Sequence, residues 1–165
     1  MQKNLDWRNI SCLILDVDGV CTSGYLHYTE NGETVKVFHV LDGHGIKSLL
    51  KAGIEVAIIS GRKSIIVQNR FTELGVKFIY QGQHNKLPAY NEILTKLNIT
   101  SASVAYIGDD TPDLPLIKKS KIGITVPNAH FSIKKTADMI CHNAGGNGAV
   151  REICDLILAA KEKKQ

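Results

Sequence analysis

The chain has 165 residues, of which 44% are hydrophobic and 22% are charged, and its formal net charge is +4. This length and composition are typical of one soluble globular domain, which we expect to span residues 1–165. No apolar run approaches the roughly 20 residues that a membrane span needs. We therefore do not expect the chain to insert into a membrane. No basic stripe alternates with aromatic residues, so we do not expect it to bind nucleic acid.

The amino-terminal residues and the cysteines indicate a cytoplasmic protein. Residues 1–11 are polar and carry no apolar signal-peptide core. The four cysteines (Cys12, Cys21, Cys141 and Cys154) form no Cys-x-x-Cys pair, and two of them lie in apolar runs. Buried, reduced thiols are therefore favoured over disulfides or a zinc site.

The first predicted element is a buried strand that ends in acidic residues. The apolar run 13–15 leads directly to Asp16 and Asp18, and Gly19 follows as a turn signal. Open α/β sheets bind ligands at the carboxyl edge of their strands. Two carboxylates this close repel each other by about 1 to 4 kcal/mol at effective dielectric constants of 80 to 20. A raised pKa, a bound hard cation such as Mg²⁺, a covalent nucleophile, or an ordinary loop or capping role would each accommodate the pair.

The next segment predicts a β-hairpin. Residues 24–40 contain two arms rich in β-branched and aromatic residues, separated by the turn signal Asn31-Gly32. The hairpin stands where a crossover helix would be expected, and it is too short to be a domain. Isolated two-stranded ribbons are marginally stable. It therefore either hangs as a flap or pairs with copies of itself, and we favour pairing in an oligomer.

Strands and helices alternate in the rest of the chain. Asp42 is a plausible N-cap for the first helix. Helices are predicted over residues 43–52, 63–74, 88–97 and 148–163, with another opening at Asp113 and Pro115. Strands are predicted over residues 55–60, 76–80, 103–107, 121–126 and 139–141. This alternation predicts a doubly wound parallel sheet.

Polar residues follow four of these strands. Besides the first pair of acids, Ser60-Gly61-Arg62, Lys86 and Asp109-Asp110 stand at or after strand ends, which share one edge in a parallel sheet. Acids bind a metal, a hydroxyl and the N–H groups of a helix start bind phosphate oxygens, and cations balance an anion. Each group also has an ordinary structural explanation, as a cap or a solvated side chain. Their occurrence at successive strand ends favours a site for a phosphate ester and a metal.

The motifs resemble those of the haloacid dehalogenase superfamily. The residues that carry the resemblance are Asp16-x-Asp18-Gly19-Val20, Ser60-Gly61, Lys86 and Gly108-Asp109-Asp110-x-x-Asp113. Further matches, at 31–33, 42–46, 60–63, 81–87 and 148–152, resemble its capless sugar-acid phosphatases. The resemblance covers residues 13–158. It implies a Rossmann-like fold without a cap domain, Mg²⁺ as cofactor, and a homotetramer in which neighbouring hairpins help to close each site.

The resemblance also implies residue roles. Asp16 would be the nucleophile and Asp18 the general acid and base. Mg²⁺ would be held by the carboxylates of Asp16 and Asp109 and by the main-chain carbonyl of Asp18. Ser60 and Gly61 would hold the phosphoryl group, which Lys86 would neutralise. Substrate contacts are implied for Asp18, His39, Val40, Leu41, Asp42, Gly43, Lys47, Arg62, Arg70 and Lys86.

The implied substrate is a small sugar-acid phosphate, 3-deoxy-D-manno-octulosonate 8-phosphate, a precursor in lipopolysaccharide biosynthesis. Arg62 favours this eight-carbon acid, because the phosphatases of nonulosonate 9-phosphates tend to have Glu at that position. Ser23, Lys47, Asn147 and Pro127-Asn128 depart from the family pattern and affect the expected sugar recognition rather than phosphoryl transfer.

Three alternatives remain open from the sequence. One is a phosphatase for a nonulosonate 9-phosphate or another sugar phosphate. A second is a signalling module that holds phosphate on an aspartate, although Asp16 ends the first strand and receiver domains carry their acceptor on a later one. A third is an inactive binding subunit, against which the complete set of acids argues.

Overall fold

A six-stranded parallel sheet forms the centre of the computed structural model, which describes residues 5–162. The strands, in chain order, are β1 (Cys12–Leu15), β2 (His27–Thr29), β3 (Gly32–Val35), β4 (Glu55–Ile59), β5 (Phe78–Tyr80), β6 (Val104–Ile107), β7 (Ile122–Thr125) and β8 (Met139–Ile140). The sheet has the strand order β5-β4-β1-β6-β7-β8, and β2 and β3 form a separate hairpin.

The winding of the chain places the end of β1 at a switch point. The chain runs outward from β1 to β4 and β5, and then returns to β6 on the other side of β1. Ile14 is therefore paired with Ala57 on one side and with Tyr106 on the other. Ligands bind in open α/β sheets at the carboxyl end of the strands where the order reverses. The predicted doubly wound sheet is confirmed, and Asp16 is the first residue beyond that end of β1.

Helices cover the sheet. They are α1 (Val40–Lys51), α2 (Ile65–Glu73), α3 (Leu87–Leu97), α4 (Leu114–Lys119), α5 (Phe131–Thr136) and α6 (Ala149–Glu162). Helix α1 packs against α6, while α4 packs against α3 and α5. Every residue of β1 is fully buried. This explains why β1 reads as a continuous apolar run rather than an alternating pattern, since helices lie on both faces of a parallel sheet.

Two expectations about the helices were wrong. Asp42 is not an N-cap: α1 begins earlier, with His39 at the N-cap, and Asp42 lies in the first turn. The buried Asp42 carboxylate instead accepts a hydrogen bond from the backbone N–H of Arg151, at 2.8 Å. The sequence pattern also missed α5, whose N-cap is His130, a residue type with a weak capping preference.

The predicted hairpin is present, but its paired segments are shorter than residues 24–40. Strands β2 and β3 are antiparallel, with a register shift between His27 and Tyr28. Tyr25 and Val37, beside the strands, are 80% and 63% exposed. At the foot of the hairpin, however, the side chain of Lys36 reaches Asp18 of its own chain. The hairpin is therefore tied to Asp18 of its own chain, and its pairing with other copies stays a prediction.

None of the helices between residues 5 and 162 has the length and apolar character needed to cross a membrane.

Candidate active site

The polar strand ends converge on one cavity of about 240 Å³ at the carboxyl edge of the sheet. Its lining contains seven residues for which the sequence predicted roles: Asp16, Asp18, Ser60, Gly61, Arg62, Lys86 and Asp109. Gln83, His84, Asp110, Pro112 and Asp113 complete the lining. A larger cavity of about 920 Å³ lies against α6 and contains none of these groups. We therefore place the chemistry in the smaller cavity, which holds the acids together with the lysine.

Lys86 joins two acids in the floor of this cavity. Its ammonium group donates to Oδ1 of Asp16 at 2.6 Å and to Oδ1 of Asp113 at 2.7 Å. The lysine side chain is 4% exposed. A buried cation needs such partners, because an unpaired charge in the interior costs several kcal/mol. Lys86 therefore fixes the position of Asp16 while balancing part of its charge.

The carboxylate of Asp113 accepts hydrogen bonds from several other groups of the site. Its Oδ1 also accepts a hydrogen bond from the hydroxyl of Tyr106 at 2.6 Å, and its Oδ2 accepts from the backbone N–H groups of Asp109 and Asp110 at 3.0 and 3.2 Å. With Lys86, these donors occupy the hydrogen-bonding capacity of the carboxylate. The sequence analysis quoted Asp113 within a motif and placed it at the start of a helix, where it is the N-cap of α4, but assigned it no role in the site. The sequence analysis also missed Tyr106. The feature that could have indicated it is a tyrosine in an apolar strand, because the hydroxyl of a buried tyrosine usually has a hydrogen-bond partner.

The acids of the site suit a hard divalent cation. Oxygen atoms of Asp16, Asp109 and Asp113 lie within 4.8 Å of one another, and oxygen-only donors favour Mg²⁺ over softer metals. Because the oxygens of Asp113 are already engaged, Asp16 and Asp109 are the residues whose carboxylates fit as direct ligands. Gly19 permits this approach: it has φ +91°, and a Cβ there would lie 2.0 Å from Oδ2 of Asp109.

The electrostatics of these acids also suit a cation. Burial raises the pKa of Asp16 to about 6, against the opposing effect of Lys86. Burial, followed by the charges of Asp16 and Asp113, raises the pKa of Asp109 to about 8. Burial alone would lower the pKa of Lys86, but the neighbouring carboxylates of Asp16 and Asp113 raise it. A divalent cation entering between Asp16 and Asp109 would displace protons near neutral pH.

We expect magnesium to stabilise the protein more at high pH than at low pH. A carboxyl whose pKa rises on folding stabilises the fold while it is protonated, and this contribution is lost as the pH rises through the folded pKa. For Asp16 and Asp109 that loss spans pH values up to about 8. In chelator, the melting temperature should fall between about pH 5 and about pH 8.5. Added Mg²⁺ should reverse this fall, because it binds the ionised carboxylates.

Asp109→Asn is the matched variant for this measurement. It should weaken both the pH dependence in chelator and the stabilisation by Mg²⁺. A Mg²⁺-induced rise in melting temperature that is equal at both ends of the pH range, or that survives in Asp109→Asn, would contradict the assignment of Asp109 as a ligand.

The side of the cavity for which the sequence predicts phosphate binding is formed by the residues that follow β4 and β5. Ser60 is 2% exposed, and its Oγ accepts the backbone N–H of Arg62 at 3.3 Å. Among residues 5–162 the hydroxyl of Ser60 accepts this bond and donates to no protein atom, so its hydrogen can be donated to another oxygen. The backbone N–H of Gln83 donates to the carbonyl of Ser60 at 2.9 Å, which ties the two loops together.

The hairpin supplies three side chains to which the sequence analysis assigned no role in the site. Lys36 donates to Oδ1 of Asp18, and Glu33 lies 2.9 Å from the Lys36 ammonium. Tyr28 accepts a hydrogen bond from Arg62 at 2.7 Å. Their signal in the sequence is weak, because polar residues on a hairpin are usually solvated.

Several of the implied substrate-contact residues do not line this cavity. His39, Asp42, Gly43 and Arg70 line a separate, small cavity of about 10 Å³ beside α1. Val40 and Leu41 are 75% and 50% exposed, and Lys47 is exposed on α1. None of these residues is part of the lining of the candidate cavity, so substrate contacts by them stay a prediction.

Comparisons with known proteins agree with this geometry. A model of the haloacid dehalogenase-like hydrolases matches residues 76–153. The chain is 49% identical to 3-deoxy-D-manno-octulosonate 8-phosphate phosphatase KdsC of Salmonella typhi over 156 residues, which are 94% of this chain and 83% of the relative.

Solved structures of similar proteins have the same fold. The 3-deoxy-D-manno-octulosonate 8-phosphate phosphatase of Moraxella catarrhalis, in complex with magnesium, phosphate and KDO, superposes with a TM-score of 0.92 at 42% identity, covering 96% of this chain and 91% of that one. A cobalt-bound phosphatase of the same kind from Haemophilus influenzae gives a TM-score of 0.92 at 42% identity, covering 96% and 92%. The chain therefore belongs to the 3-deoxy-D-manno-octulosonate 8-phosphate phosphatase family of the haloacid dehalogenase-like hydrolases.

Proposed function

We propose that the chain hydrolyses 3-deoxy-D-manno-octulosonate 8-phosphate to the free sugar acid and phosphate, with Mg²⁺, as a step in the biosynthesis of lipopolysaccharide precursors. The observation that carries the proposal is the juxtaposition of Asp16 with Lys86 and Asp109 at the switch point of the sheet. Relatives 44–49% identical to this chain are named for this activity.

The residues divide the reaction into two steps. The Asp16 carboxylate attacks phosphorus in line, the bond from phosphorus to the sugar oxygen breaks, and Asp16 carries the phosphoryl group. Asp18 gives a proton to the departing oxygen and later takes one from the water that hydrolyses the aspartyl phosphate. Ser60, Gly61 and Lys86 hold the phosphoryl oxygens. Such positioned charges supply most of the rate enhancement in phosphoryl transfer.

The carboxylates of Asp16 and Asp109, with the main-chain carbonyl of Asp18, would hold Mg²⁺. When bound, this ion supplies positive charge that offsets the repulsion between the phosphate dianion and the acids of the site. Lys86 provides a second positive charge, 2.6 Å from Oδ1 of Asp16, which offsets part of the negative charge that the anionic substrate meets.

The proposal includes a homotetramer in the cytoplasm. The exposed apolar residues Tyr25 and Val37 beside the hairpin strands support association through this segment. Val40 and Lys47 lie outside their own chain's cavity, so contact with substrate would require a neighbouring copy. Light scattering should give the mass of four chains, and a monomer would contradict this part of the proposal. The four cysteines are buried and free, which suits a reducing compartment.

The activity is tested by phosphate release with Mg²⁺ from a panel of sugar phosphates. We expect kcat/KM for 3-deoxy-D-manno-octulosonate 8-phosphate to exceed that for a nonulosonate 9-phosphate by about 10- to 100-fold, the range over which pocket contacts discriminate between related substrates. Arg62→Glu should narrow this ratio. A higher kcat/KM for the nonulosonate 9-phosphate would show that the chain is a phosphatase for the nine-carbon substrate instead. A lasting phospho-adduct without turnover would show that it is a signalling module.

A further inference from the structure

Lys36 is a buried lysine that the proposed chemistry does not use. It follows β3 at the foot of the hairpin, and its side chain is 2% exposed, although lysine is almost never buried without partners. Its ammonium donates to Oδ1 of Asp18 and lies 2.9 Å from Oε1 of Glu33. The cation is thus shared between an acid of the catalytic cavity and an acid of the hairpin.

Arg62 closes this arrangement into a ring of alternating charges. Its Nη2 lies 3.5 Å from Oε1 of Glu33, and its Nε lies 3.7 Å from Oδ2 of Asp18. Nη2 also donates to the Tyr28 hydroxyl at 2.7 Å, and the guanidinium lies 5.8 Å from the centre of the Tyr28 ring. Two carboxylates and two cationic side chains therefore connect the hairpin to the loops after β1 and β4.

The two carboxylate oxygens of Asp18 differ in their hydrogen bonding. Oδ1 is held by Lys36, whereas Oδ2 is buried and has no hydrogen-bond partner within residues 5–162. Asp18 lines the catalytic cavity, but Lys36 does not. A free aspartate side chain rotates, and either oxygen can then point toward a substrate. Nε of Arg62, 3.7 Å from Oδ2, is beyond hydrogen-bond distance. With Oδ1 occupied by Lys36, Oδ2 is therefore the oxygen left to exchange a proton with the reacting group.

We propose that Lys36 is a positioning residue for Asp18, which it holds so that Oδ2 meets the oxygen of the leaving sugar. The proposal rests on the proposed function. As the bond from Asp16 to phosphorus forms and the bond from phosphorus to the sugar oxygen breaks, the proton on Oδ2 moves to that oxygen. Lys36 makes no contact with substrate and acts by limiting the orientations of Asp18. Correct placement of a catalytic group accounts for large factors in rate.

The dependence on the leaving group separates this role from a structural one. Lys36→Met should lower kcat/KM for the sugar-acid phosphate by about 10- to 100-fold, because an alkoxide leaves poorly without a proton. The same variant should lower kcat/KM for p-nitrophenyl phosphate by less than about threefold, because the phenolate leaves unaided. The ratio kcat/KM is the right quantity, since it covers the steps up to departure of the leaving group and not the later hydrolysis of the aspartyl phosphate.

Two variants serve as controls. Lys51→Met removes an exposed lysine from α1 and should change neither rate. Lys36→Arg keeps a cation at the foot of the hairpin and should recover part of the rate with the sugar-acid phosphate. Circular dichroism melting confirms that each variant is folded. If Lys36→Met is unfolded, Glu33→Gln, which loosens Lys36 without removing it, should give a smaller loss with the same selectivity for the sugar-acid phosphate.

The outcomes are distinct. Equal losses with the two substrates would overturn the proposal and make Lys36 a phosphate-binding or purely structural cation. No loss with either substrate would also overturn it. Failure of the proposed function itself would show differently, as an absence of phosphate release from both substrates by the unmodified protein.

Discussion

Asp16→Asn should abolish phosphate release, by a factor on the order of 10⁴ or more, as removal of a nucleophile does in other enzymes with covalent intermediates. Asn has nearly the same shape as Asp but cannot form the acyl phosphate. The fold should survive, because the substitution removes a buried charge and leaves Lys86 paired with Asp113 at 2.7 Å. The measurement is multiple-turnover phosphate release in Mg²⁺, together with the mass of the acid-quenched protein.

The quenched unmodified protein should carry one phosphoryl group, and Asp16→Asn should carry none. Asp16→Ala is a useful companion, because Asn can deamidate back to Asp and restore a trace of activity. Asp155→Asn is the matched control: it removes an exposed acid that pairs with Arg151 on α6, and it should leave turnover unchanged. Substantial turnover by both Asp16 variants would rule out Asp16 as the nucleophile.

Lys86→Met should damage both activity and stability. Loss of a cation that stabilises developing charge lowers kcat by about 10²- to 10³-fold in comparable sites. The variant also leaves the buried carboxylates of Asp16 and Asp113 without their shared partner, which costs about 3–5 kcal/mol in the free energy of unfolding. This loss should be smaller at about pH 5 than at about pH 8, because Asp16 is more protonated at the lower pH.

Chemical denaturation at the two pH values measures the stability loss, and phosphate release measures the activity. Lys96→Met is the control, since Lys96 pairs with Glu92 at 2.7 Å on the exposed face of α3 and should contribute little to either property. A Lys86→Met protein as stable as the unmodified one at both pH values would contradict the role of Lys86 as the partner of two ionised acids.

The acids that line the candidate site were predictable because their signals are local. Asp16 and Asp18 follow an apolar run, and Gly19 marks the turn, so strand, edge and acids can be read within eight residues. Asp109 follows β6 in the same way, whereas Lys86 stands at the end of the loop between β5 and α3. The prediction that these strand ends lie at one edge required only that the sheet be parallel, which the alternation of strands and helices indicated.

The residues that support these acids were not predictable in the same way. Lys36 lies 18 positions from Asp18, and Tyr28 lies 34 positions from Arg62, so no short motif contains either pair. Asp42 resembled a helix cap because Asp is a common N-cap, yet the packing of α1 on α6 uses its carboxylate to hold the N–H of Arg151. Local propensity is a weak guide when a tertiary contact offers a buried carboxylate a better partner.

The amino-acid sequence by itself determined the parallel α/β fold and the strand ends that carry polar groups, because hydrophobic period and turn residues act over a few neighbouring positions. The tertiary structure decided which atoms of those acids are engaged and which are free. It alone showed that Lys86 and Tyr106 both hold Oδ1 of Asp113, and that a hairpin lysine holds one oxygen of Asp18. The physical reason is that buried charges find their partners through space, at distances along the chain that sequence periodicity does not encode.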